Sequence, residues 1–277
     1  MSALDLSGGV VVVTGAASGI GRATALAFAR RGAALALVDR DADGLADTAA
    51  DARALGVSVT EHVLDVADAE AVAALPEAVL AEHGRVTVLV NAAGVALAGR
   101  FEELSMDEIR WLFEINVFGL IGLTKAFLPA LTASGGQVAN VSSLFGIIAP
   151  AEQTAYAASK FAVRGFSESL RHELEGTGVG VTVIHPGGVA TAISRNARVA
   201  AGAVDPEAAS KQALRFERVF LTTPAETVGE AIAGAVARRQ PRLIVASGAR
   251  AGTWLQRLMP VRYWRVLGRG YRRFTRR

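Results

Sequence analysis

Cysteine is missing from all 277 residues. That excludes disulfide bonds, thiolate nucleophiles and cysteine-ligated zinc. Histidine is nearly as scarce: His62, His83, His172 and His185 show no metal-ligand spacing, so no metal is expected. The N-terminus lacks a basic segment followed by an apolar core. No uninterrupted apolar stretch reaches the ~18 residues of a membrane span, and a soluble cytoplasmic protein is expected. There is no internal repeat of fixed period and no low-complexity linker. Lysine is rare too, since Lys125, Lys160 and Lys211 are the only lysines among 29 basic residues.

What is present is apolar: 51% of the chain is hydrophobic, enough for one large core. The expected organisation is a single α/β domain over 1–248, then a basic, aromatic extension over 249–277. Formal charge is +3, yet the stretch from Arg250 holds nine arginines and no acids, leaving 20 basic against 26 acidic residues before it. The basicity therefore belongs to the extension.

Strand and helix alternate along the domain. Strands are predicted at 10–13, 34–38, 57–64, 86–90, 137–141, 179–185 and 242–246. Helices are predicted after Gly21, over 68–83, through Asn116, through Tyr156 and over 224–238. Such alternation implies a doubly wound parallel sheet of about seven strands with helices on both faces. Residues 192–223 are polar and weakly periodic, suited to a substrate lid.

The first strand runs into Thr14-Gly15-Ala16-Ala17-Ser18-Gly19-Ile20-Gly21 and then a helix. Glycines permit a tight turn and close approach to a pyrophosphate, and the helix N-terminus offers free N–H groups to the anion. No Gly-Lys-Ser/Thr closes the loop, which disfavours a P-loop. Asp39 ends the second strand about 20 residues beyond the glycines, where a carboxylate can accept hydrogen bonds from an adenosine ribose.

Tyr156 and Lys160 stand four apart in an alanine-rich helix, so both project from one face. A free tyrosine titrates near ~10, and a neighbouring cation lowers that value, which Lys160 is expected to do. Ser143 follows an apolar strand whose carboxyl end opens on the same crevice. Three groups suited to proton transfer at a C–O bond are thus available.

Together these residues resemble the short-chain dehydrogenase/reductase family, over residues 8 to about 248, and imply a Rossmann-type fold. Its Thr-Gly-x-x-x-Gly-x-Gly motif matches Thr14, Gly15, Gly19 and Gly21. Its adenine-side acid matches Asp65, and its Asn-Ala-Gly motif is similar to Asn91-Ala92-Ala93-Gly94, with Ala92 where a second Asn is common. The resemblance extends the cofactor contacts to Ser18, Ile20, Arg40, Val66, Tyr156, Lys160, Pro186, Gly187, Val189 and Thr191. The catalytic four fall on Asn116, Ser143, Tyr156 and Lys160. By that resemblance Tyr156 exchanges a proton with the substrate oxygen and Ser143 hydrogen-bonds it. Lys160 lowers the tyrosine pKa and binds the nicotinamide ribose, and Asn116 orders a proton-relay water. Homo-oligomers, dimers or tetramers, are implied through the helices carrying Asn116 and Tyr156.

The implied reaction is hydride transfer between a nicotinamide and a secondary alcohol or ketone. A nucleotide-binding protein without turnover and a methyltransferase are the competing readings. Asp39 favours NAD by repelling a 2′-phosphate, whereas Arg40 leaves NADP open. Apolar candidates Val95, Leu144, Phe145, Ile147 and Ile148 point to a hydrophobic substrate. In the extension, Val261, Trp264, Leu267 and Tyr271 form a stripe after Pro260 among arginines. It is expected to pack on protein, leaving Trp254 and Trp264 inaccessible, with peripheral membrane contact as the second reading and no nucleic-acid motif.

Overall fold

The structure, a computed structural model, describes residues 3–191, 193, 196–203, 221–246 and 248–268. Its centre is seven strands: β1 Val10–Thr14, β2 Ala34–Asp39, β3 Val59–Val63, β4 Val88–Asn91, β5 Gln137–Val141, β6 Gly180–Pro186 and β7 Arg242–Val245. All pair in parallel, in the order 3-2-1-4-5-6-7. The expected seven-stranded Rossmann-type sheet is present.

The helices α1 Gly19–Ala29, α2 Ala42–Ala54, α3 Ala69–His83, α4 Met106–Phe113, α5 Leu120–Ser134, α6 Thr154–Glu173, α7 Ala225–Ala237 and α8 Ala249–Leu258 accompany it. Strand side chains alternate between two cores. Val11 and Val13 join Phe28, Leu45 and Ile232 on one face, while Val12 joins Val79, Phe127 and Leu170 on the other. Because both faces are covered, the central strands read as unbroken valine-rich runs.

The winding reverses between β1 and β4, where Thr14 lies opposite Asn91. An open α/β sheet parts its loops at such a switch point, at the carboxyl ends of the strands. Thr14, Asp39, Asn91, Val141 and Pro186 all end strands on that edge.

Several expectations need correction. The strand predicted over 57–64 spans Val59–Val63, and the long helix through Asn116 is present as one run in which a π turn, Glu114–Gly119, joins α4 to α5. Gly119 presses that turn onto the preceding loop, where a Cβ would lie 2.6 Å from the Val66 carbonyl oxygen. The helical run Met106–Ser134 is long and apolar enough by composition to cross a bilayer, yet Leu123, Phe127 and Leu131 pack in the core.

Most of the segment assigned to a lid lies outside the described residues. At its described start, Arg198–Val199 pairs with Leu97–Ala98, and the Arg198 guanidinium sits 3.7 Å over the Trp111 ring. Tyr271, the last member of the predicted stripe, also lies outside the described residues.

In the extension, α8 precedes Pro260 and was not predicted. Trp254 is 61% exposed, contrary to expectation. The helix rests on its Gly252 side, and a residue two positions along points about 200° away.

Candidate active site

Two glycines bring α1 against the end of β1. Gly15 has φ +66, and a Cβ there would meet the Ala93 nitrogen at 2.8 Å; at Gly21 a Cβ would lie 1.9 Å from the Gly15 carbonyl oxygen. Any side chain at either position would force the turn open. Ser18 is the exposed N-cap of α1, and its side chain makes no capping bond, so hydroxyl and helix N-terminus face the crevice together. Across the crevice, a Cβ at Gly19 would lie 3.3 Å from the Thr191 methyl carbon.

Asp39 braces this turn while standing beside it. One carboxylate oxygen accepts from the Ala17 N–H at 3.0 Å and the other from the Asp41 N–H at 3.1 Å. Arg40 reaches Asp65 at 3.8 Å, an exposed pair.

The next loop is held by Thr14, whose hydroxyl oxygen accepts the N–H groups of Ala92 and Ala93 at 3.1 Å each. That anchor uses only backbone at position 92, so alanine there leaves the loop in place. Asn91 is buried and donates to Thr124 and Asn140 within the core.

Asn116 sits in the π turn, and its amide brackets Val95, accepting from Val95 N–H at 2.8 Å and donating to Val95 C=O at 3.0 Å. It also donates to Ser159 at 3.2 Å. A Cβ at Gly94 would lie 3.2 Å from Asn116 Oδ1 and 3.4 Å from Lys160 Nζ, so these three positions converge.

Tyr156 and Lys160 project from α6 as the spacing predicted. Both are buried, and Lys160 Nζ lies 5.7 Å from the Tyr156 ring centre while donating to the Val141 carbonyl at 3.2 Å. The Ser143 side chain stands beside the phenol and favours its ionised form, and Phe145 meets the Tyr156 ring edge-on at 6.2 Å.

The charge balance departs from expectation. Burial pushes the Tyr156 phenol up to about 12, against the lowering effect of the Ser143 side chain, and burial lowers the Lys160 ammonium to about 8. Desolvation wins because both groups lose water at once; for the tyrosine the net cost of ionising is about 3 kcal/mol. The phenol therefore keeps its proton, and Lys160 is still largely cationic at pH 7.

Tyr156 belongs to a small apolar cluster with Leu97, Leu112 and Ala155, against which the partly buried Val95, Ala96, Leu104, Ile109, Trp111 and Phe145 pack. Of the residues expected to line the crevice, Ile147 and Ile148 are instead buried in the core, at 3% and 5% exposure. Ile148 and Leu144 face Gly252 of α8.

Known proteins resemble this chain in sequence and fold. The model of the short chain dehydrogenase family matches residues 9–201. The Mycobacterium tuberculosis protein named "Putative oxidoreductase SadH" is 44% identical over 273 residues, 98% of each chain.

The chain belongs to the short-chain dehydrogenase/reductase family.

A solved member from Burkholderia phymatum, in complex with NAD, superposes with a TM-score of 0.85 at 32% identity, covering 93% of this chain and 95% of that one. A metagenomic short-chain oxidoreductase in complex with NADP gives 0.70 at 30% identity, covering 87% and 98%. The chain is thus an NAD(P)-dependent oxidoreductase of this family. Its own residues fit such a dinucleotide: Gly15 and Gly21 leave no room for a Cβ, Ser18 is an exposed N-cap whose side chain makes no capping bond, and Asp39 ends β2 beside the turn, where an adenosine ribose would lie.

Sequence reasoning gave His185 no role. It is fully buried at the end of β6, and its Nδ1–H donates to the Ser143 carbonyl at 3.0 Å, which fixes the neutral tautomer and pins the Ser143 backbone. Position at a strand end, one residue before Pro186-Gly187, was the available signal. Burial lowers its pKa to about 4. The unfolded chain binds the proton below its ordinary value of 6.5 and the folded chain does not, so stability falls as pH drops from about 6.5 to about 4. His185→Asn is expected to remove up to roughly 3 kcal/mol of this dependence. Urea unfolding of both proteins across the window checks this, and identical pH slopes would contradict it.

Proposed function

We propose that the chain catalyses reversible hydride transfer between a nicotinamide cofactor, preferentially NAD, and a hydrophobic secondary alcohol or ketone. The observation that carries this reading is the buried Tyr156 with Ser143 beside its phenol, Lys160 Nζ 5.7 Å from its ring, and an apolar cluster to which its ring belongs.

The chemistry divides simply. The nicotinamide, when bound, takes the carbinol hydride in oxidation and gives it in reduction. Tyr156 manages the proton at the substrate oxygen, giving it up in reduction and taking it back in oxidation. Ser143 shares that oxygen as a hydrogen-bond partner and orients it toward the phenol. Lys160 adds positive charge beside the phenol, favouring the phenolate formed during reduction. Val95, Leu104, Ile109 and Phe145 favour an apolar substrate body, with Tyr156 and Ser143 as its polar contacts.

Tyr156→Phe is expected to lower kcat about 100-fold or more while leaving the nucleotide site intact, so that NAD still binds. Rates equal to the parent with a verified substrate would refute the assignment.

The preference for NAD rests on Asp39, held at the turn by two backbone N–H groups, and on Arg40, which faces Asp65. A carboxylate at the ribose repels a 2′-phosphate. Asp39→Ser should shift the kcat/KM ratio toward NADP by about tenfold or more. A parent enzyme that already prefers NADP overturns the reading.

A further inference from the structure

One face of the extension plays no part in the proposed chemistry. Its inner side is strapped to the loop after Ser143: a Cβ at Gly252 would lie 3.3 Å from Leu144 and 3.8 Å from Ile148, and the Tyr263 hydroxyl accepts from the Ala149 N–H at 2.9 Å. Its outer side is apolar where water meets it. Trp254, Leu258 and Val261 are 61%, 74% and 89% exposed, at spacings of four and three. Trp254 and Leu258, four apart, share the outer face of α8, and Val261 stands exposed in the turn just past its end, so three large apolar groups are clustered in one short stretch of surface rather than scattered.

Arginines frame this stripe. Arg250, Arg257, Arg262 and Arg265 are exposed, and the Arg257 guanidinium lies 5.9 Å from the Trp254 ring. From Arg250 onward the sequence carries nine arginines and no acid. An occupant must therefore be apolar and negatively charged at once. A second copy meeting this face with its own would set arginine against arginine. Nucleic acid would match the charge but give Leu258 and Val261 no apolar medium. An anionic bilayer supplies both, with the rings and aliphatic groups at the headgroup boundary and the arginines among the phosphates.

We propose that the outer face of residues 250–265 docks the enzyme on anionic lipid bilayers. Because the same segment is fastened to the Ser143 loop, docking holds the crevice near the lipid surface, where hydrophobic substrates concentrate. This last consequence rests on the proposed substrate class; the docking itself does not.

Vesicle co-sedimentation of the full chain tests the proposal, using phosphatidylcholine alone and phosphatidylcholine with about one third phosphatidylglycerol. Binding to the anionic vesicles is expected to be at least about tenfold tighter than to the neutral ones, and to weaken by at least about tenfold in the Trp254→Ser/Leu258→Ser/Val261→Ser variant. That variant changes exposed groups only, so its melting temperature should match the parent. Trp254→Phe should lose the blue shift of tryptophan emission on vesicle binding. No binding by the parent, or equal binding by the triple variant, overturns the proposal. A parent that ignores vesicles but forms an oligomer lost in the triple variant assigns the face to a second copy instead, and also overturns it.

Discussion

A phenol and an ammonium are held out of water on one face of α6, and much of the crevice exists to make that tolerable. Neither group could stay buried alone without a polar partner. Lys160 finds the Val141 carbonyl at the end of β5, and Tyr156 has the Ser143 side chain, two residues further on, beside its phenol. Placing β5 beside β4 sets Asn140 against Asn91, and the loop that follows β4 brings Gly94 to the Asn116 amide and to Lys160. The requirement for a dry, paired Tyr and Lys thus reaches through the sheet order to the loops.

The nucleotide half obeys a different constraint, close approach of backbones. Gly15 and Gly21 have no space for a side chain, and Thr14 ties the neighbouring loop through two N–H groups. Because that tie is made to backbone, position 92 is free to vary, and Ala92 stands there without cost to the loop. His185 makes a comparable tie under Ser143, from the neighbouring strand. The loop after β4 and the Ser143 backbone are thus fixed by contacts to main chain from Thr14 and His185, which take no part in the proposed chemistry.

Much of this was legible in the sequence because it follows from period and spacing. Strands buried on both faces appear as apolar runs such as Val10–Val13, and a four-residue step puts Tyr156 and Lys160 on one helical face. What was not legible depends on long-range contact. The π turn around Asn116 lies where Gly119 closes on the Val66 backbone, 53 positions earlier than Gly119 by the numbering. The elevated Tyr156 pKa follows from burial that no local pattern records, and local charge alone gave the opposite sign. Helix α8 was missed because its docking side is a glycine, Gly252, while its visible apolar residues face outward.

If Tyr156 and Lys160 act as one unit, their effects on turnover must be strongly coupled. The decisive measurement is a double-mutant cycle of kcat/KM with Tyr156→Phe, Lys160→Met and the double variant, using NAD and a verified secondary alcohol. Losing the phenol already idles the ammonium's charge, so the double variant should lose little more than Tyr156→Phe alone, within about tenfold. Losses that multiply, each variant contributing its full factor in the other's presence, would contradict the coupled pair.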